Sequence, residues 1–569
     1  MLFRSLLLQG NITVAEAISS TGTGIGNQGA IRNLSGNNTL TGAITAAAGS
    51  RLVGVGGGNL TLTGGITGSG DLQLLVNASN ASFAITNTAL NIGAGNLTMI
   101  GAAGQTNNNI ILGVAGNTYA NAAITYGVNV RTDVVNALNA NAGLTFGSDA
   151  GSGRTNTLNM NGFSQSVASL SSSNTANETA VITSATAATL TVNGSTSTTF
   201  NGTLSGAVSL TKAGSSTLTL SGANTYTGTT TVNAGNLTLS GGSAIADNGA
   251  VTINGTTAIL HVAGNETIGS LSSGTDNGTL SIAASQTLTV NQTTNGTFGG
   301  VITGSGNVTK TGSSTLTLTG NNTYSGATTV SAGVLNIQNN NALGNATAGT
   351  TVASGASLQL QGGITVGAEA LTLTGSGVVT DGALRNISGN NTYGGAITLG
   401  GATRINSDAG LLTLSGGITG TNQDLIIGGL GNTTISSAIT TGTGVLAKDG
   451  AGTLTLSGNN TYTGATTISN GTLATSTADR ISDSSAVTVA SGATFQLGGS
   501  ETVGSIAGAG NYSIGAFTLS AGGDNTSTTH SGSITGAGGA LTKLGSGTLT
   551  LNGTNTYNGT TTKIGRAHV

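Results

Sequence analysis

Residues 210–232 read LTKAGSSTLTLSGANTYTGTTTV, and this stretch decides the fold. In Thr217-Leu218-Thr219-Leu220 apolar and polar residues alternate with a period of two, the pattern of a strand buried on one face. Ser221 to Gly228 is rich in Gly, Asn, Thr and Ser and reads as a turn. A β-branched run follows, Thr229 to Val232, then an Ala-Gly-Asn turn and a second alternating strand from Leu237 to Ser240. Leu218 and Leu237 stand 19 residues apart, which suits one coil of a parallel solenoid in which like strands stack. That stacking predicts Leu218 and Leu220 inside, Thr217 and Thr219 outside.

The unit recurs. VTKTGSSTLTLTGNNTYSGATTV starts at Val308, LAKDGAGTLTLSGNNTYTGATTI at Leu446 and LTKLGSGTLTLNGTNTYNGTTT at Leu541. Each copy repeats a lysine (Lys212, Lys310, Lys448, Lys543), a tyrosine (Tyr226, Tyr324, Tyr462, Tyr557) and a glycine (Gly228, Gly326, Gly464, Gly559). A second repeat pairs IRNLSGNNTLTGAIT from Ile31 with LRNISGNNTYGGAIT from Leu384, and both continue to an arginine at one offset, Arg51 and Arg404. A third pairs GNETIGSL from Gly264 with GSETVGSI from Gly499. The chain therefore reads as one all-β solenoid over residues 1–562, with its strongest repeat copies at 210–237, 308–335, 446–473 and 541–562.

Composition agrees with repetition. The 569 residues contain 98 glycines and no proline, cysteine or tryptophan, so collagen-like, polyproline and disulfide-stapled folds are excluded. Proline would remove a ladder hydrogen bond almost anywhere in a stacked solenoid. Charged residues are 5% and aromatics 3%, too few for an aromatic sandwich core, and a net charge of −3 without a basic cluster argues against a nucleic-acid partner. Glycine and asparagine suit corners that need positive φ. Stacked amides at Asn321, Asn322, Asn459 and Asn460 are expected to form hydrogen-bonded ladders between coils.

The unit TKxGxGTLTLSGxNTYTGxTTVxxGxL resembles the autotransporter-associated β-strand repeat of passenger regions in type V secretion. The resemblance implies a right-handed parallel β-helix at the surface of a Gram-negative bacterium, in the outer membrane or released, and a repeat that is structural and transport-related with no catalytic residues. It also implies a translocator barrel in the full-length chain. No aromatic-girdled barrel strands are legible here, and the apolar run Leu6–Leu8 stops at Gln9, too early for a signal peptide.

Candidate chemistry is sparse. The histidines, His261, His530 and His568, are far apart, and no HExxH, CxxC or Walker pattern occurs, so no catalytic, cofactor or metal residues are expected. The 17 acidic residues are scattered, the densest group being Asp479, Arg480 and Asp483, read as a solvated loop with local ion pairing. The repeat lysines are read as charges that discourage edge pairing, and the repeat tyrosines as corner packing. The function expected is a non-enzymatic stalk or adhesin-like segment whose partners are a host surface, a glycan or a neighbouring cell. Two rivals remain open: a carbohydrate-active β-helix enzyme, which needs clustered Asp, Glu and Arg, and an ice- or crystal-binding solenoid, which needs Thr-x-Thr in every coil. Residues 563–569, KIGRAHV, break the repeat where a β-branched residue belongs and hold two of the 14 basic residues. They are expected to be foreign to the native chain, read from a sequencing adapter.

Overall fold

The computed structural model describes residues 5–54, 57–102, 104–147, 153–173 and 179–564. They form short strands joined by corners, with helical structure limited to two single-turn 3-10 segments, Ile25–Asn27 and Val378–Thr380. The chain is a parallel β-solenoid: each strand pairs in parallel with the equivalent strand one coil on, and one antiparallel bridge joins Asn254 to Asn277. By contact density it divides into two compact units, Met1–Asn291 and Gln292–Val569.

In the first unit an eight-stranded sheet runs from Leu6–Gln9 to Ser169–Ser172, and a 13-stranded sheet from Thr13–Val14 to Ser270–Ser273. In the second unit a nine-stranded sheet runs from Thr365–Val366 to Ile534–Thr535, and a four-stranded one from Glu501–Val503 to Thr561–Lys563. The core is a set of like-on-like columns. Leu218 lies opposite Leu237, which lies opposite Leu260 and then Leu280. The second unit stacks Leu316, Leu335, Leu358, Leu384 and Ile405. All of these side chains are fully buried, and each contributes roughly 1.5–3 kcal/mol relative to exposure. Leu218 and Leu220 point inward while Thr217 and Thr219 remain partly exposed, as the alternation predicts.

Two features depart from short, evenly punctuated strands. Thr179–Val192 and Thr203–Lys212 run through a corner as long bent strands, with a register slip between Ser184 and Ala188. No glycine punctuates TAVITSATAATLTV, so the corner is made by a bulge, with Gly206 at φ 69 opposite Ser184. Elsewhere positive φ falls mostly on glycine and asparagine, but Tyr126, Val379 and Thr380 also adopt it. For β-branched Val379, at φ 50, this is a strained conformation.

Candidate functional site

The repeated residues converge inside the coil. The strand ends Thr203–Lys212, Asn307–Thr311 and Leu446–Lys448 deliver Lys212, Lys310 and Lys448 to its interior, with 0%, 0% and 2% of their surface exposed. There each ammonium donates to backbone carbonyls of the next corner. Lys212 Nζ donates to Gly214 O and Ala234 O; Lys310 Nζ to Thr311 O at 2.6 Å, Gly312 O at 2.9 Å and Ala332 O at 3.2 Å; Lys448 Nζ to Gly450 O and Asn470 O. Lys543, half-buried, donates to Leu544 O and Gly545 O. Desolvation lowers the three buried ammonium groups to about 8. The reading of these lysines as surface charges against edge pairing is therefore corrected. A lysine flanked by threonines on an alternating strand falls on the inward side, and its three donors match a ring of carbonyls.

Asparagine does the same work one corner on. Asn224, Asn322 and Asn460 accept from the N–H of Leu204, Ile302 and Ile439 in the preceding coil, and donate to the carbonyls of Ala244, Ala342 and Arg480 in the next. The expected amide ladder is thus mainly a side-chain bridge between backbones, since buried peptide groups require partners. A direct amide pair joins Asn341 to Asn321 at 2.8 Å. Tyr226, Tyr324 and Tyr462 are fully buried and bond Thr230, Thr328 and Thr466 at 2.5, 2.5 and 2.7 Å. Their rings are spent on packing and present no platform to a ligand. At Gly228, Gly326, Gly464 and Gly559 a Cβ would collide with a carbonyl of the preceding coil, which explains the invariant glycine.

Buried carboxylates were the residues that sequence reading missed. Glu266 accepts from the N–H of Ala244 and Ile245, Glu501 from Arg480 and Ile481. Burial pushes both up to about 7 against these hydrogen bonds. They are the glutamates of the GNETIGSL and GSETVGSI repeat, so the recurrence was the available signal. His261 faces out and contacts Ser281 at 3.2 Å, whereas His530 is buried edge-to-face on Tyr512 at 4.9 Å and held below its ordinary pKa by desolvation. Arg480 turns to the carbonyls of Ala478 and Ser457 and to Asn459 rather than to Asp479 or Asp483, so the expected local ion pairing is corrected.

Outside, charges gather in the second unit. Arg385 bridges Asp381 at 2.8 Å and Asp408 at 2.7 Å, and Arg404 reaches Asp449 at 2.6 Å. These acidic and basic groups satisfy one another. The threonine row Thr219–Thr238 continues as His261 and Ser281, so it is not the unbroken array an ice-binding face needs. Among the described residues no group of three or more His, Asp or Glu is placed to hold a metal. Lys563 continues the last strand opposite Lys543, while residues 565–569, with His568, lie outside the described residues.

A family model described as the passenger-associated-transport-repeat matches residues 210–239, 308–337, 446–474 and 541–564. These are the four segments that carry the repeat lysine, buried in the first three and half-buried at Lys543. No curated protein and no solved structure matches the chain.

Proposed function

The chain bears the passenger-associated transport repeat, and from that premise we propose that residues 1–562 are a non-enzymatic passenger segment of an autotransporter, displayed at or released from a Gram-negative cell surface as an adhesive or structural module. The observation that carries this reading is where the repeat spends its polar groups. Lysine and asparagine recur at fixed positions and close backbone donors and acceptors at the corner, while the repeat tyrosine bonds a threonine hydroxyl. Such a unit maintains a coil and leaves its outer faces free to vary. A chain of this kind can also cross the envelope unfolded, because local coil-on-coil contacts let it fold progressively without distant partners and the lack of cysteine avoids disulfide trapping.

The test is to place the chain between a signal sequence and a translocator barrel in a Gram-negative host. Expected is full-length protein accessible to external protease on intact cells, together with changed cell–cell or cell–surface attachment. Retention inside the envelope would overturn the passenger reading. Release of reducing ends from polysaccharides by the purified chain would overturn the non-enzymatic one.

A further inference from the structure

We propose that the outer face of the 13-stranded sheet in the first unit is a binding groove for a neutral glycan chain, a reading that rests on the chain being a surface passenger. Five adjacent parallel strands, from Gly58–Leu62 through Ala81–Thr86, Asn109–Gly113 and Asn129–Thr132 to Thr155–Asn159, form its floor. A trough of about 440 Å³ lies along them, lined by Asn59, Ser82, Asn109, Asn129, Arg131 and Asn159 among others.

The chemistry of this floor differs from the threonine faces elsewhere. Ser82 Oγ donates to Asn59 Oδ1 at 2.5 Å and Asn129 Nδ2 to Asn109 Oδ1 at 2.6 Å, so the amides are oriented by their neighbours. A primary amide has two N–H donors and a two-lone-pair acceptor, so each oriented amide keeps capacity for a partner that both donates and accepts. Adjacent sugar hydroxyls are such partners. Arg131 is held by Asp133 through Nε at 2.8 Å and Nη2 at 2.7 Å, and Asn161 donates to the same carboxylate at 2.9 Å. Its charge is thereby cancelled, which favours an uncharged ligand over a sulfated or phosphorylated one. Strands repeat every ~4.8 Å, close to the rise of an extended pyranose chain, so successive rings can meet successive coils.

An exposed aromatic residue precedes the Asn129–Thr132 strand. Tyr126, three residues before Asn129, is 45% exposed and sits at φ 59, a conformation that tyrosine rarely adopts. The turn is pinned, because the Gly127 N–H donates to the buried Asn156 Oδ1 at 2.8 Å. Arg154 lies over one face of the ring, 5.9 Å from its centroid. Tyr226, Tyr324, Tyr393, Tyr462 and Tyr512, by contrast, are turned inward and fully buried. The exposed ring, three residues before Asn129, offers a sugar the face that Arg154 leaves open, and the oriented amides offer hydrogen-bonding edges.

The experiment measures retention of the purified full chain on immobilised mannan, galactan and β-glucan, with heparin as the polyanionic comparison. Expected is retention on at least one neutral polysaccharide and a tenfold or greater loss in two variants, N109L/N129L and Tyr126→Asn. The first changes only outward side chains, and the second suits positive φ better than tyrosine does. Unchanged melting curves establish that both fold. Retention on none of the neutral polysaccharides, on heparin alone, or equally by the variants overturns the proposal. A chain that is exported and attaches cells yet behaves so refutes the groove while leaving the passenger reading intact. If binding holds, loss of attachment by the variants to epithelial cells or to sister bacteria identifies which surface supplies the glycan.

Discussion

The module that begins near Gly24 in the first unit returns near Gly377 in the second, and the two copies agree inside and disagree outside. Inside, Asn38 donates to Asn33 and to Ser35 O while accepting from the Ile12 N–H; Asn391 donates to Asn386 and to Ser388 O while accepting from the Ile364 N–H. All four asparagines are at most 1% exposed. Both copies slip register at the same place, between Leu8 and Gln9 against the first and between Leu360 and Gln361 against the second. Outside, Arg51 bonds neutral groups, Gln73 Oε1 at 2.6 Å and Asn27 O at 2.9 Å. Its counterpart Arg404 crosses to Asp449, and Arg385 takes Asp381 and Asp408. The interior tolerates one solution because every buried peptide group must be satisfied, whereas an outward arginine takes whatever the neighbouring coils supply.

The interior half of this comparison should give the largest effects. Leu52→Asp and Ile405→Asp each bury a carboxylate in a fully enclosed column and should cost several kcal/mol in both copies, read as new cleavage sites in limited proteolysis of the full chain. If one copy tolerates the change, the two interiors are not equivalent.

The amide modules are closed inside by asparagines, with Tyr393 as a buried phenol in the second copy, whereas the lysine units bury an ammonium, and pH separates the two kinds of region. Lys212, Lys310 and Lys448 fall from 10.5 to about 8 in the fold, so between those values the unfolded chain holds protons that the folded chain has released. Stability therefore rises with pH from about 8 until near pH 10, where buried tyrosines, kept protonated in the fold, oppose the trend. Glu266 and Glu501 rise from 4.5 to about 7, so the folded chain holds the extra protons and stability falls as pH climbs through that window. The expected profile has a trough between about pH 7 and 8, measured by thermal melting across pH 4.5–10. Glu266→Gln with Glu501→Gln should flatten its acid limb; an unaltered limb would locate the titration elsewhere.

Truncating the inner amide should come next. Asn33→Leu and Asn386→Leu each strand buried partners and should cost about 2–4 kcal/mol, with closely similar values in the two copies. Hydrogen exchange at the Ile12 and Ile364 amides, bonded through the paired asparagines, is the local readout.

The 3-10 turn at the module's start offers a smaller and opposite pair. Gly26 sits at φ 63 and Val379 at φ 50, so Val379→Gly should stabilise its turn by about 1 kcal/mol and Gly26→Val should destabilise by a similar amount. Equal effects of one sign would remove strain as the explanation.

The smallest effect belongs to the outer ion pair. Arg404 lies over Gly428, where a Cβ would collide with its Nη2, to reach Asp449. Gly428→Ala or Asp449→Asn should cost less than about 1 kcal/mol, and that cost should shrink as salt rises. Gln73→Ala, which removes a neutral partner of Arg51, should show no such salt dependence.

Much of the fold was legible because a period of two, absent proline and a recurring unit leave few alternatives to a stacked parallel solenoid. Lys212 shows where legibility stopped. Alternation alone puts it on the inward side, but charge argued for the surface, and only the ring of carbonyls at the corner explains why an ammonium is admitted. Glu266 and Glu501 stood in a recognised repeat, yet the N–H groups they cap belong to residues about one coil earlier in sequence. The sequence by itself therefore determined the strand period, the coil length and the inward columns, since these depend on neighbours along the chain. Only the tertiary structure decided which polar groups cap which peptides, which turn carries strain at Val379, and that Asn59, Ser82, Asn109 and Asn129 share one trough. Those relations join residues one or more coils apart, and side-chain packing and hydrogen-bond geometry, rather than local pattern, choose among their possible partners.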